Sequence, residues 1–506
     1  QFSVSPSSIT LSAGASQSIS ITFTPSAVRV VNSTLTFSHN ASGGSSNISL
    51  FGYGVAAFAT EVKGILSSDT TWEASKSPYV VTGAILVEEG VTLTVEAGVE
   101  VRFEDDTYIK VNGEVVARGT SSGKIRFTSS RGTPAKNAWG YIRLIGTSLS
   151  VGGSDEYVSG TIFEHCIVEY STDGIKFEGS AKAFIDNCAF SNNSTGISYN
   201  SMASSMIWNS TFYSNGSGIN SYSITGSYSA RSMSGSKIKN NEFYSNTGSA
   251  IVGGGYMVNA SSNLYQGNTV RDNGGWAMSF GTGDVVSGFR DNTIKGNTIY
   301  NNTIGGIYIS DNGNVITENK IFNNGTGIGT DHGDQTLTIS YNVISGNTTG
   351  IEMYKSWYAS GEGIQIKYNQ ILNNDKSVVI KKSGSYQPMN LQFANNLIVG
   401  TTGNPLVDIT GGSGHAFSNN NFISSSGLII KNQTAEAVTA ENNWWGVTTT
   451  SEISDLVEDY YDNFELGKVD YDPALSSLNT STPVNAPIGL VGQTGPTTMQ
   501  LSWTAN

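Results

Sequence analysis

From Phe163 to Gly446 the chain keeps repeating one phrase: an apolar residue, a polar corner, Asn or a substitute for it, a second apolar pair and then Gly-Ile. "ITENKIFNNGTGI" from Ile316 and "ISYNVISGNTTGI" from Ile339 are adjacent copies. Aligned on the corner, the copies put Cys166, Cys188, Ser210, Asn241, Asn268, Asn297, Asn319, Asn342, Asn369, Asn396, Asn420 and Asn443 in one file, at separations of 22 to 31 residues. A period in this range marks a solenoid, in which a repeat buries its apolar face only against its neighbours.

The repeats read as strands rather than helices, because short alternating apolar pairs rich in Ile, Val and Thr are separated by Gly, Asn and Ser. About 22 residues make three short strands and three tight bends, and such a coil rises by the inter-strand spacing of ~4.8 Å. Ile316 and Ile321 then point inward beneath Ile339 and Ile344. The corner Asn residues form a ladder, each amide donating to one neighbouring coil and accepting from the other. The Gly before each final Ile is expected to supply a backbone angle that other residues resist. Cys166 and Cys188, one coil apart, read either as a disulfide or as stacked free thiols in the ladder; with His165 they are too few to hold zinc.

Composition supports this fold and excludes several functions. The chain has 59 glycines and only 13% charged residues, with 38% hydrophobic residues to bury, which disfavours both long helices and disorder. A net charge of −13 and a pI near 4.8 argue against nucleic acid as a partner, which needs clustered Lys and Arg. The acidic balance admits Ca²⁺, although no DxDxDG-type loop is present, and no other cofactor is indicated. No apolar run reaches the ~18 residues of a membrane span, and no signal peptide opens the sequence. Sequons are plentiful, including Asn32, Asn40, Asn47, Asn193, Asn209, Asn215, Asn301, Asn324 and Asn347, which permits glycosylation without implying it.

The coils resemble right-handed parallel β-helix repeat proteins of the pectate-lyase-like superfamily. Upstream, "SPYVVTGAILVEEGVTLTVEAGVEVRF" is similar to the opening coils of secreted members, and "NNWWG" with "NFELGKVDYDPAL" is similar to how those helices close. The Trp pair reads as a shield for the open end of the stack. Residues 1–57 resemble part of an immunoglobulin-like domain of the abnormal-spindle, choice-of-anchor type, and residues 476–506 resemble a linker and the first strands of a fibronectin type III domain. The expected fold is all-β: a right-handed parallel β-helix over 58–475, of about a dozen coils, flanked by partial immunoglobulin-like sandwiches.

The resemblance implies a groove along one outer face, where lyases of this fold use a carboxylate-bound cation and a basic residue, and hydrolases use paired acids. The segments after the Gly-Ile strands put Asp311, His332, Lys355 and Lys382 at equivalent heights, with Asp331, Asp334, Glu352, Trp357 and Tyr358 nearby. This face could meet an acidic glycan, the aromatic rings stacking on sugars. The lyase and hydrolase signatures are missing, and solenoid surfaces are polar in any case, so no residue is assigned as catalytic. His39 and His415 read as surface residues. The leading expectation is a non-enzymatic, secreted or cell-surface structural rod whose incomplete sandwich ends could join copies head to tail. Its alternative is a carbohydrate-binding or polysaccharide lyase-type domain.

Overall fold

A computed structural model describes residues 1–24, 30–53, 59–200, 203–221, 233–254, 260–281, 289–310, 313–330, 336–355, 363–382, 388–401, 403–483, 488–494 and 499–504. From Thr60 to Asp470 the chain winds into a right-handed parallel β-helix of about 14 turns with three ladders of strands. In one turn Val315–Thr317 belongs to the first ladder, Lys320–Phe322 to the second and Thr326–Thr330 to the third. The first ladder stacks 16 strands, from Thr70–Trp72 to Val469–Asp470. At ~4.8 Å per step the column is ~70 Å long, longer than a dozen coils. The additional turns lie upstream of Cys166, where Ile125 rather than Asn stands in its file.

Register converts the sequence repeat into vertical files. Ile316 pairs with Ile294 and Ile339, and Ile321 with Ile299 and Ile344, all fully buried. In the third ladder the file beginning Ile85, Ile109, Ile142, Ile175, Ile197 and Ile219 continues through Ile307, Ile328 and Ile351 to Val457. Burying each such side chain contributes about 1.5–3 kcal/mol. Aromatic residues obey the same rule: the rings of Phe190, Phe212 and Phe243 stack at 4.8 and 4.6 Å, nearly parallel.

The corners are held by amides. Nδ2 of Asn319 donates to Oδ1 of Asn342 at 2.9 Å and to the carbonyls of Ile294 and Thr317, and the backbone N–H of Asn319 donates to the same Oδ1 at 3.0 Å. This pattern runs from Asn241 through Asn268, Asn297, Asn319, Asn342, Asn369, Asn396 and Asn420 to Asn443. A second ladder, from Asn193 through Asn215, Asn246, Asn273, Asn302, Asn324 and Asn347 to Asn374, stands at the next corner, and Asn263, Asn292 and Asn314 make a shorter third. Cys166 and Cys188 are buried free thiols doing the same work as Asn. The Cys166 N–H donates to Cys188 Sγ at 3.4 Å, and Cys188 Sγ–H to the Phe163 carbonyl at 3.3 Å.

The glycine repeated before each final Ile has a different cause from the one expected. Gly196, Gly327 and Gly350 have no positive φ; a Cβ at these positions would sit 2.5–2.6 Å from the carbonyl oxygen of the following coil. The left-handed backbone falls instead on the residue before each corner amide, as at Asn192, Glu318 and Tyr341. Glycine is therefore needed for the close approach of coils.

Beyond the last full turn Trp445, 1% exposed, packs on Phe422 and is covered by Tyr471, while Trp444 is only half-buried. A short helix, Thr450–Ser454, carries a capping box between Thr449 and Glu452. The tail then turns back along the coils, where Asn479 and Thr482 bond to Asn421. At the other end β1 (Phe2–Ser5) pairs antiparallel with β2 (Ser20–Phe23), and β3 (Val30–Ser38) with β4 (Ser45–Tyr53). Phe23 lies against Gly52, so the two hairpins pack together. Ile488–Thr494 and Met499–Thr504 form another antiparallel pair.

Asn319→Ala would remove the acceptor shared by the N–H and Nδ2 of Asn297 and the donor to the Ile294 and Thr317 carbonyls, leaving the Asn297 N–H unpaired while Nδ2 keeps the Tyr265 carbonyl and Thr317 keeps the Gly296 N–H, a cost of about 3 kcal/mol in denaturant unfolding. The exposed Lys320→Ala should change stability by less than ~0.5 kcal/mol. Equal effects would show that the ladder does not carry the corner.

Candidate functional site

Since inward and corner positions are committed to the stack, chemistry can reside only on outward residues and loops. Of the face expected from sequence, Asp311, Asp331, His332, Asp334, Trp357 and Tyr358 lie outside the described residues. Lys355 and Lys382 are register partners on adjacent coils, and Lys382 is exposed. Glu352 is half-buried and paired with Lys381 at 2.7 Å. His415 is buried rather than on the surface. Burial drives its imidazole pKa down to about 4, against a 3.3 Å contact of Nε2 with the Gly411 carbonyl, so it stays neutral. His39 is exposed and contacts Ser46 at 3.0 Å.

A different cluster emerges at the other end of the rod. Lys110, Arg143 and Lys176 stand in register on three successive coils, facing outward from the third ladder. Two residues before Lys110 and Arg143, Tyr108 and Tyr141 contact each other, ring centroids 5.3 Å apart, and Lys176 Nζ lies 4.9 Å from the Tyr141 ring centre. Like charges on neighbouring strands repel. One carboxylate offsets this: Glu178 accepts from Nε of Arg143 at 2.7 Å, lies 3.5 Å from Lys176 and accepts from Asn200 at 3.1 Å. Burial pushes the Glu178 pKa up, but Asn200, Arg143 and Lys176 together outweigh it and hold the pKa below the usual glutamate range. Among the described residues Lys110 makes no ion pair. Beside Lys176 a recess of about 120 Å³ is lined by polar groups including Asp173, Thr195, Ser198 and Asn200.

Round the next corner, on the second ladder of the same coils, an open groove of about 390 Å³ is lined by Arg102, Arg126 and Arg131 with Glu100, Glu169, Thr128, Ser129 and Ser130. Its arginines are anchored, Arg102 to Glu100, Arg126 to Glu169 and Arg131 in two bonds to Asp105. Each guanidinium has five N–H donors, so anchoring leaves others for a ligand. The sequence did carry a signal for this region: five of nine arginines fall between Arg102 and Arg143. Their convergence depends on coil register, which is hard to assign where no Asn marks the corner. No group of three or more metal-ligating side chains occurs among the described residues.

The family described as "Right handed beta helix region" matches residues 142–283, 220–344 and 257–423, and "Pectate-lyase like beta helix domain" matches 64–162. The chain belongs to the right-handed β-helix family. No curated protein matches it. Among solved structures it is similar to the periplasmic alginate epimerase AlgG (14% identity, 78% of each chain, TM-score 0.28). It is also similar to the mannuronan C-5 epimerase AlgE6 A-module of Azotobacter vinelandii (15%, 78% of this chain and 91% of that one, TM-score 0.30). A mannuronic acid-specific polysaccharide family 6 lyase from human gut microbiota matches at 15% identity, over 80% and 87% of the two chains, with TM-score 0.37. At these identities the likeness concerns the fold.

The lowered Glu178 pKa makes a signed prediction. A depressed carboxylate contributes stability above its unfolded pKa and loses it as pH falls through the folded value. Glu178→Gln should therefore be less stable than the parent near neutral pH, and the gap should close in acid, below the usual glutamate range. A gap independent of pH would exclude the ion pairs as its source.

Proposed function

We propose that this chain is a secreted or cell-surface β-helix rod that binds an acidic glycan along its N-terminal coils. One observation supports the reading above others: three outward cations, Lys110, Arg143 and Lys176, stacked in register beside the Tyr108–Tyr141 pair. Glu178 offsets Arg143 and Lys176 but leaves Lys110 unpaired among the described residues, and anions spaced along the axis would relieve the remaining repulsion. Tyrosine rings beside it offer apolar surface to sugar faces. The adjoining arginine groove adds donors for further carboxylates or hydroxyls. The reading is one of binding, with no assigned acid or base.

The test is titration with a soluble polyuronate and with a neutral polysaccharide of similar length. Binding should be confined to the polyuronate and weaken with salt. Lys110→Ala with Arg143→Ala should reduce affinity roughly tenfold or more, since each removes a charge-assisted hydrogen bond. Equal binding of both polymers, or no effect of the double substitution, would remove the proposal. Release of unsaturated uronate products in the same assay would make the protein a lyase instead.

A spacer role is compatible with this reading and is favoured by the unbroken amide ladders, which make a stiff column. Head-to-tail joining through the two-stranded sheets at the ends is its extension. Electron microscopy at high protein concentration should show filaments if copies join, and dispersed rods would end that idea.

A further inference from the structure

The nine sequons named above fall into three physical classes. Asn193, Asn215, Asn324 and Asn347 are at most 4% exposed, their amides locked in the second ladder. Asn209 and Asn301 are exposed at left-handed corners, but their amides donate to Asp186 and Asp272. The remaining three, Asn32, Asn40 and Asn47, are exposed on the β3–β4 hairpin and its turn, and their amides make no hydrogen bond among the described residues. Asn32 has one feature more. It is paired directly across the hairpin with Phe51, whose side chain is 71% exposed. Asn32, Ser33, Thr34 and Phe51, with Ser49 and Leu50, line an open groove of about 380 Å³.

We infer that Asn32 is an N-glycosylation site whose first sugar lies in this groove on the Phe51 ring. A cross-strand neighbour is within reach of a ring-sized group carried on the amide, and the apolar face of a pyranose covers an aromatic ring that water would otherwise meet. The donor is an oligosaccharide held on a polyprenyl phosphate and delivered by an oligosaccharyltransferase. The bond from the sugar C1 to phosphate oxygen breaks, the oxygen keeping the electron pair. Nδ2 of Asn32 bonds to C1, and its proton passes to a base of the transferase. The modification is independent of the cation file, which lies on other coils.

Glycopeptide mass spectrometry of the protein from its native source tests the site. The Asn32 peptide should carry sugar, and the peptides of Asn193, Asn215, Asn324 and Asn347 should not. Unmodified Asn32, or sugar on any of those four, overturns the inference. Phe51→Ala, expressed in a glycosylating host, should lower occupancy at Asn32 about threefold and leave Asn47 unchanged. Unchanged occupancy at Asn32 would remove Phe51 from the site.

Discussion

The whole molecule rests on vertical superposition: a residue in one coil is bonded to and packed on its counterpart a turn away. The Asn corners show why this is a strong constraint. An isolated buried amide is costly to desolvate, but in a file each Oδ1 accepts two N–H groups from one coil and each Nδ2 reaches the next amide and nearby carbonyls. The stabilisation therefore depends on neighbours having the same residue at the same height. The inward isoleucines follow similar logic through packing.

That constraint also determines where function can be placed. Inward and corner positions are occupied by the stack, so the outward file is the part of each coil that can vary. There, register turns ordinary surface residues into arrays. Lys110, Arg143 and Lys176 are far apart in sequence, yet stand on successive rungs. Tyr213 and Tyr244 stack at 5.2 Å on another face, with Arg271 4.6 Å from the Tyr244 ring. A solenoid of this kind forms linear sites more readily than pockets, which suits a linear polymer.

Several features were legible without coordinates. The spacing of the Asn file implied coils, and the inward direction of Ile316 and Ile339 followed from it. The second ladder was equally present in the sequence, since Asn324 follows Asn319 by five residues and Asn347 follows Asn342 by the same interval. Reading Asn324 and Asn347 as sequons concealed it. The glycine before the final Ile was placed properly but explained wrongly, because the approach of the next coil's carbonyl is a distance between coils and has no local signature.

By itself, then, the sequence determined the period, the strand character and the identity of the stacked residues, all of which are local or repeat at a constant interval. Only the tertiary structure decided which outward side chains meet. Inserted loops vary the spacing between coils, as the 33-residue step from Lys110 to Arg143 and the same step from Arg143 to Lys176 illustrate against the 22 residues between Lys176 and Ser198. Hydrogen-bonded register absorbs such insertions into loops and restores the alignment, and so it alone brings the three cations onto one face.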